Sequence, residues 1–275
     1  MKDDQLQILL TNDDGIESPG LWAAAEALSA LGYVTVAAPL KQSSGTGRSQ
    51  PVTSDGHIHL QTLRVKEQDW PVYAIGGTPA QAVVHSLLEL LPRRPDLVVS
   101  GINYGENVGT SVTISGTVGA ALEAASWGIP AIAVSLEIAN VNTEYLKYSR
   151  EVDFSAAAHF TRLFGKLMLD HAQPPDVDVL KLDVPIDATP QTPWRLTRQS
   201  RQMYFTPYII KRESWETTPE VGGTLTFNPD GSTPPSDIDA VKFDRVVSVT
   251  PLSIELTSRV DFAALEQAWH GKVGQ

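Results

Sequence analysis

The chain contains no cysteine, which excludes disulfides, zinc thiolate centres, iron–sulfur clusters and cysteine nucleophiles together. That composition fits a reducing compartment. No stretch approaches the roughly 18 consecutive apolar residues of a membrane span. Met1 to Gln5 carry acids and pass directly into an apolar strand, without the apolar core of a secretory signal. A cytoplasmic protein with no membrane partner is the expectation. Basic residues are also scarce: 21 Lys and Arg stand against 32 Asp and Glu, for a formal net charge of -11. This balance argues against a broad nucleic-acid footprint, which needs clustered cations along a phosphate backbone. A small anionic ligand stays open where a metal and a helix end supply local positive potential.

Several catalytic signatures are missing. No Gly-x-Gly-x-x-Gly follows a strand, and neither a Gly-x-x-x-x-Gly-Lys-Ser/Thr loop nor a Gly-x-Ser-x-Gly elbow is present. The six histidines, His57, His59, His85, His159, His171 and His270, lack His-Glu-x-x-His spacing and read as structural or surface groups. The remaining composition, 42% hydrophobic and 19% charged, is that of an ordinary globular protein. At 275 residues the chain can bury a full core in one large domain, or in a domain with an extension.

The first half alternates short apolar strands with helices, the pattern of a mostly parallel sheet covered on both faces. Strands are predicted at Gln7–Thr11, Tyr33–Ala38, His57–Leu63, Trp70–Ile75, Asp96–Ser100, Ile129–Leu136 and Val177–Val184. Ser18-Pro19 marks a helix start whose apolar spacing runs through Leu31 to Gly32, and Thr78-Pro79 marks another running to about Leu91. Ser115-Gly116-Thr117 opens a small-residue helix carrying Ala120, Ala121, Ala124 and Ala125, and Glu151–Asp170 has the spacing of a longer one. Pro39–Pro51 and Gly101–Thr113 read as loops. Beyond Pro185 prolines crowd, and Trp194–Arg198, Met203–Ile210 and Thr224–Phe227 resemble hairpin strands of a β-rich C-terminal extension. Such an arm either reaches to a partner subunit or folds on its own chain. Val246–Thr250 returns to an apolar strand, and Asp261 caps a last helix to Trp269.

In a parallel sheet all strands end on one edge, and ligands gather there. Asp13 and Asp14 follow the first strand, the Ser43–Ser49 loop follows the second, and Gly101-Ile102-Asn103 follows the strand at 96–100. Two adjacent carboxylates raise each other's pKa unless a positive charge lies between them. Carboxylates, a hydroxyl and an amide carbonyl suit Mg2+ or Mn2+ and leave positions open for water and a phosphate. The start of the helix at Ser115-Gly116-Thr117 supplies free N–H groups and the positive dipole end for the same phosphate. Each fragment alone also has an ordinary reading: a turn at Asp-Asp-Gly, a solvated linker at Ser43–Ser49, an N-cap at Ser115. Their convergence on one edge favours a phosphoryl-transfer site.

Four blocks carry a more specific likeness: Ile8-Leu-Leu-Thr-Asn-Asp-Asp-Gly-Ile16 with Ser18–Leu21; Ala38-Pro39 through Ser44 to Ser49; Gly77-Thr78-Pro79-Ala80; and Ser100-Gly-Ile-Asn103 through Gly105-Glu-Asn107-Val-Gly109 to Ser115-Gly-Thr-Val118. A weaker echo lies at Val247–Leu252. In this order they resemble the SurE family, the survival-protein 5'/3'-nucleotidases. The resemblance implies a Rossmann-like α/β core with a swapped β extension, assembled as a homodimer or homotetramer. It also implies metal-dependent hydrolysis of nucleoside 5'- and 3'-monophosphates. Carried over by position, Asp13, Asp14, Ser44 and Asn103 would hold Mg2+ or Mn2+, and either aspartate would serve in proton transfer. Asn12, Gly45, Thr46, Asn107, Ser115, Gly116 and Thr117 would surround the phosphate and substrate. The domains expected are a catalytic core at 1–185, a β-hairpin-rich extension at 186–245, and a strand and helix at 246–275 returning to the core or a partner subunit.

The chain departs from the family pattern at Leu40, where an acid is usual, at Arg48, at Gln81-Ala82, where Asp-Cys is usual, and at Ile114, where an aromatic is frequent. Arg48 adds a fixed charge able to pair with phosphate, so these changes bear on substrate preference. Two other readings share the site: a broad acid phosphatase or exopolyphosphatase, and a nucleotide sensor that binds without turnover.

Overall fold

A computed structural model describes residues 5–65, 68–138 and 152–270. Met1–Asp4 and Glu151, on which parts of the sequence reading fall, lie outside the described residues.

Nine strands form one sheet in the order β3-β4-β2-β1-β5-β6-β7-β11-β8. The strands are β1 (Gln7–Thr11), β2 (Tyr33–Pro39), β3 (Ile58–Val65), β4 (Gln68–Ile75), β5 (Leu97–Tyr104), β6 (Ala131–Leu136), β7 (Val179–Val184), β8 (Trp194–Leu196) and β11 (Val247–Leu252). The run β4-β2-β1-β5-β6-β7 is parallel throughout. β3 is antiparallel to β4, and β11 is antiparallel to β7. The remaining strands, β9 (Phe205–Lys211) and β10 (Glu220–Leu225), form a separate antiparallel hairpin. Trp194–Leu196 does not join that hairpin. It pairs in parallel with β11 at the edge of the main sheet.

The alternation along β1 explains the layers. Ile8 and Leu10 face a core shared with α1 (Pro19–Leu28) and α4 (Ser155–Asp170), while Leu9 faces a second core with α2 (Pro79–His85) and α3 (Gly116–Ser126). Both faces of a parallel strand are thereby covered, which is why these strands read as continuous apolar runs. On α4, Phe160, Phe164 and Met168 recur at helical spacing toward the first core. On α3, Ala120, Ala121, Ala124 and Ala125 keep the helix close to the second.

The helix ends differ from the sequence reading in detail. Ser18 occupies the N-cap of α1 without a side-chain bond, and α1 ends at Leu28, not Leu31. Thr78 and Gln81 form a reciprocal capping box at α2. The α-helix stops at His85 and continues as a π-helical turn, Ser86–Leu90. The last helix, α5 (Phe262–His270), begins where the Ala264 N–H donates to Asp261 Oδ1 at 3.2 Å.

The second polar loop is shorter than expected. After a register shift between Ser100 and Asn103, β5 continues to Tyr104, with Asn103 opposite Ser135 and Tyr104 opposite Leu136. Gly109–Thr113 forms a 3-10 turn. Glycine and asparagine signal a loop locally, but here β6 offers a partner strand that local propensity cannot reveal.

Candidate active site

β1 lies between β2 and β5, so successive connections leave it in opposite directions along the sheet. That reversal opens a crevice beyond the carboxyl ends of the strands. There the strand runs into Asn12-Asp13-Asp14-Gly15. Asn12 closes the turn on itself, accepting from the Gly15 N–H and donating to the Gly15 carbonyl, each at 3.1 Å. Gly15 has φ +102°, a backbone that L side chains rarely adopt.

The turn buries both carboxylates, Asp13 at 4% and Asp14 at 1% exposure. Thr117 Oγ1 donates to Asp13 Oδ1 at 2.6 Å, and the Tyr104 N–H donates to Asp14 Oδ2 at 3.0 Å. Burial pushes the Asp13 carboxyl up, against the pull of Thr117 and of the Thr117 and Gly116 N–H groups at the start of α3. Asp14 is pushed up to about 7, first by burial and then by the charge of Asp13, while Tyr104 and Gln42 pull it down. Among the described residues no Lys, Arg or His forms an ion pair with Asp13. Two buried carboxylates that accept from the Thr117 hydroxyl and the Tyr104 N–H match the demand of a hard divalent cation for oxygen ligands.

Asp13, Ser44, Gly45, Asn103, Asn107 and Ser115 line one cavity of about 280 Å³. Ser44 and Gly45 arrive on the loop after β2, which is tied to the acidic turn by the Ser43 N–H donating to the Asp13 carbonyl at 2.7 Å. The Asn103 amide donates to the Gly105 carbonyl at 2.6 Å, which fixes its plane and leaves Oδ1 as an acceptor. Asn107 donates its N–H to Asp183 Oδ1 and its side-chain amide to Ser135 Oγ, both at 2.8 Å. Ser115 caps α3 by accepting from the Val118 N–H at 3.1 Å.

The other expected residues support this cavity without lining it. Asn12 shapes the turn, Asp14 packs behind it, and Thr46 Oγ1 donates to the Ser43 carbonyl at 2.8 Å. Gly116 and Thr117 press on Asp13: a Cβ at Gly116 would stand 2.8 Å from Asp13 Cβ and 3.1 Å from the Ser43 carbonyl oxygen. None of the six histidines lines the cavity.

Arg48 is paired within the protein. Its Nε donates to Glu123 at 2.7 Å and its Nη2 to Ser126 at 2.6 Å. The guanidinium is held on α3 by an almost fully buried carboxylate, and Arg48 is not among the residues that line the cavity. Ile114, in contrast, does line the cavity. Among the lining residues that sequence reasoning missed are Glu106, Tyr204, Phe205 and Leu225. Glu106 stands inside the quoted Gly105–Asn107 block and was findable. The other three come from the distant hairpin region, and no local signal marks them.

Residues 8–206 match the family described as Survival protein SurE. The chain is 42% identical over 273 residues to the 5'-nucleotidase SurE of Thermococcus gammatolerans, with 97% of each chain covered. It is 38% identical over 274 residues to the 5'-nucleotidase SurE of Methanosarcina acetivorans, covering 95% of this chain and 97% of that one. The crystal structure of the SurE protein from Aquifex aeolicus aligns with a TM-score of 0.69 at 30% identity, covering 97% of this chain and 99% of that chain. With the acidic turn, the crevice and nearly the whole length matched together, this chain belongs to the survival protein SurE family.

Proposed function

We propose that the protein is a nucleotidase that depends on a divalent metal, Mg2+ or Mn2+, and hydrolyses nucleoside 5'- and 3'-monophosphates to nucleoside and phosphate. The nucleotidase activity is supported by relatives named 5'-nucleotidase that align over almost the full chain. The metal dependence rests on one observation: Asp13 and Asp14 are buried side by side, both raised in pKa, beside a cavity that also presents the oxygens of Ser44 and Asn103.

In this reading Asp13, Asp14, Ser44 and Asn103 hold the cation. When bound, it offsets the charge of the carboxylates and of the phosphoryl oxygens and acidifies nearby water. Thr117 orients Asp13 through its hydroxyl. The amide of Asn107, with Gly45 and the α3 start at Ser115–Thr117, sets the phosphate's position, and the helix dipole favours its charge. One aspartate moves the proton. Residues 1–185 form the catalytic core, 186–245 the extension, and 246–275 the return segment. The protein acts in the cytoplasm as a homodimer or homotetramer, a reading supported by the cysteine-free composition and by apolar side chains left in solvent, Trp215 and Leu256 each at 90% exposure.

The test is phosphate release from nucleoside 5'- and 3'-monophosphates. Activity with Mg2+ or Mn2+, lost on EDTA treatment and restored by adding metal, is expected. Asp13→Asn should lower kcat by at least about a thousandfold with an unchanged circular dichroism spectrum. Full activity in the chelated protein would falsify the metal dependence, and nucleotide binding without any release would make the protein a sensor.

A further inference from the structure

Ser44 and Gly45 form the exposed tip of the loop after β2, and both line the cavity. The contacts that fix this tip lie on either side of it. On one side the Ser43 N–H donates to the Asp13 carbonyl at 2.7 Å, and Thr46 Oγ1 donates to the Ser43 carbonyl at 2.8 Å. On the other, the buried Gly47 donates its N–H to the Ile114 carbonyl at 3.0 Å and lies so close to α3 that a methyl group on Gly119 would run into the Gly47 carbonyl. Arg48 then follows the same helix: its Nε donates to Glu123 Oε2 at 2.7 Å and its Nη2 to Ser126 Oγ at 2.6 Å. Gly119, Glu123 and Ser126 recur at helical spacing, so the loop is gripped along one face of α3.

Glu123 holds this grip in place. Its side chain is only 4% exposed, and its other oxygen, Oε1, accepts from Trp127 Nε1 at 3.0 Å. A buried carboxylate needs a cation, and among the described residues Arg48 is the one that pairs with it. The guanidinium reaches Glu123 and Ser126 together through its planar fork, a geometry that a lysine ammonium does not reproduce. The same helix meets Asp13 at its first turn, through Thr117 and Gly116. One rigid element therefore carries the contacts of the acidic turn at its start and the loop of Ser44 along its side. We propose that Arg48 is a positioning residue of the metal site: by clamping the loop to Glu123 and Ser126 of α3, it holds Ser44 at the spacing from Asp13 that a divalent cation requires. This deepens the metal-dependent reading and rests on it.

The experiment titrates Mn2+ into the purified protein and counts the free ion by electron paramagnetic resonance, in the wild type, Ser44→Ala, Arg48→Ala and the double variant. An unfolded fraction changes the stoichiometry and leaves the Kd of the folded protein readable. Each single substitution should weaken Mn2+ binding by about tenfold, the lower end for losing a group that orients a metal site. Because Arg48 acts through Ser44, the double variant should bind within about twofold of Ser44→Ala, whereas independent effects would multiply to about a hundredfold. Should Arg48→Ala fail to fold, Arg48→Lys takes its place in the cycle, since it keeps a charge beside Glu123 without the fork. A loss of about threefold is then expected alone, and none in the Ser44→Ala background. Wild-type affinity in the Arg48 variant, or multiplied losses in the double variant, overturns the proposal and leaves the metal dependence intact. Wild-type affinity in Ser44→Ala removes Ser44 from the metal site and overturns the proposal with it. A wild type that binds no Mn2+ overturns the reading of the site as a metal centre for this ion, and this inference as well.

Discussion

Lys181 is fully buried, paired with Asp183 and, at 3.1 Å, with Asp237. These carboxylates also receive the backbone of the site: Asp183 accepts the Asn107 N–H, and Asp237 accepts those of Gly109 at 3.1 Å and Ser200 at 2.9 Å. One ammonium inside two acids thereby pins the loop that carries Glu106 and Asn107. Burial works against the Lys181 charge, but the two carboxylates outweigh it and raise its pKa. Lys181→Met removes the cation and leaves two buried carboxylates uncompensated. A loss of about 3–5 kcal/mol in urea denaturation is the expected outcome, and a loss under about 1 kcal/mol would refute this account. At Asp13, Thr117→Val should keep the helix start but remove the bond to Oδ1. We expect a drop of at least about tenfold in kcat with a small change in melting temperature. Sequence made Asp13 legible because two acids ending an apolar run are conspicuous. Lys181 was not legible, since a lysine in Val-Leu-Lys-Leu-Asp-Val reads as a solvent-facing strand residue until both faces are known to be covered.

At the scale of elements, the start of α3 shows how packing fixes chemistry. Gly116 allows the helix to approach the acidic turn, and a methyl group there would meet Asp13 and the Ser43 backbone. Gly116→Ala should therefore displace Asp13 and reduce kcat by about tenfold to a hundredfold, measured at saturating nucleotide. The alanine is otherwise a good helix former. A variant with full activity would show that the close approach has no role in turnover. The capping box of α2 is a purely structural counterpart. Thr78→Ala should cost about 1 kcal/mol in thermal or urea unfolding and leave KM unchanged. The existence of both helices was legible, because capping residues and apolar spacing are local. The extension of β5 to Tyr104 was not, because it depends on pairing with Ser135 and Leu136 of β6.

Across the whole molecule, buried charge couples stability to pH. Asp183 is raised to about 6, chiefly by burial and also by Asp237, against the pull of Lys181. Between the ordinary carboxyl value of 3.8 and about 6, the folded protein holds a proton that the unfolded chain has released. Its contribution therefore declines as pH rises through that window, by about 1–3 kcal/mol. Glu137 has the opposite sign. Hydrogen bonds from Arg245 and Lys242 outweigh the effect of burial and lower its pKa, so its contribution is present above about 4.5 and disappears on acidification below it. Urea titrations from pH 4 to pH 6.5 on wild type and Asp183→Asn check this, with a shallower slope expected in the variant. An identical slope in both would remove Asp183 from the account.

Sequence by itself determined the alternation of apolar strands and capped helices, the acidic turn after the first strand and the polar loops that meet it. These are local: hydrophobic period, turn chemistry and helix caps act between residues a few positions apart. Only the tertiary structure decided which of the marked residues face the cavity, that Arg48 is held by Glu123 on α3, and that Tyr204, Phe205 and Leu225 close the far wall. It also decided that β8 joins the main sheet beside β11. Each of these depends on contacts between segments far apart in the chain, where strand pairing and buried charge are settled by which surfaces the fold brings together.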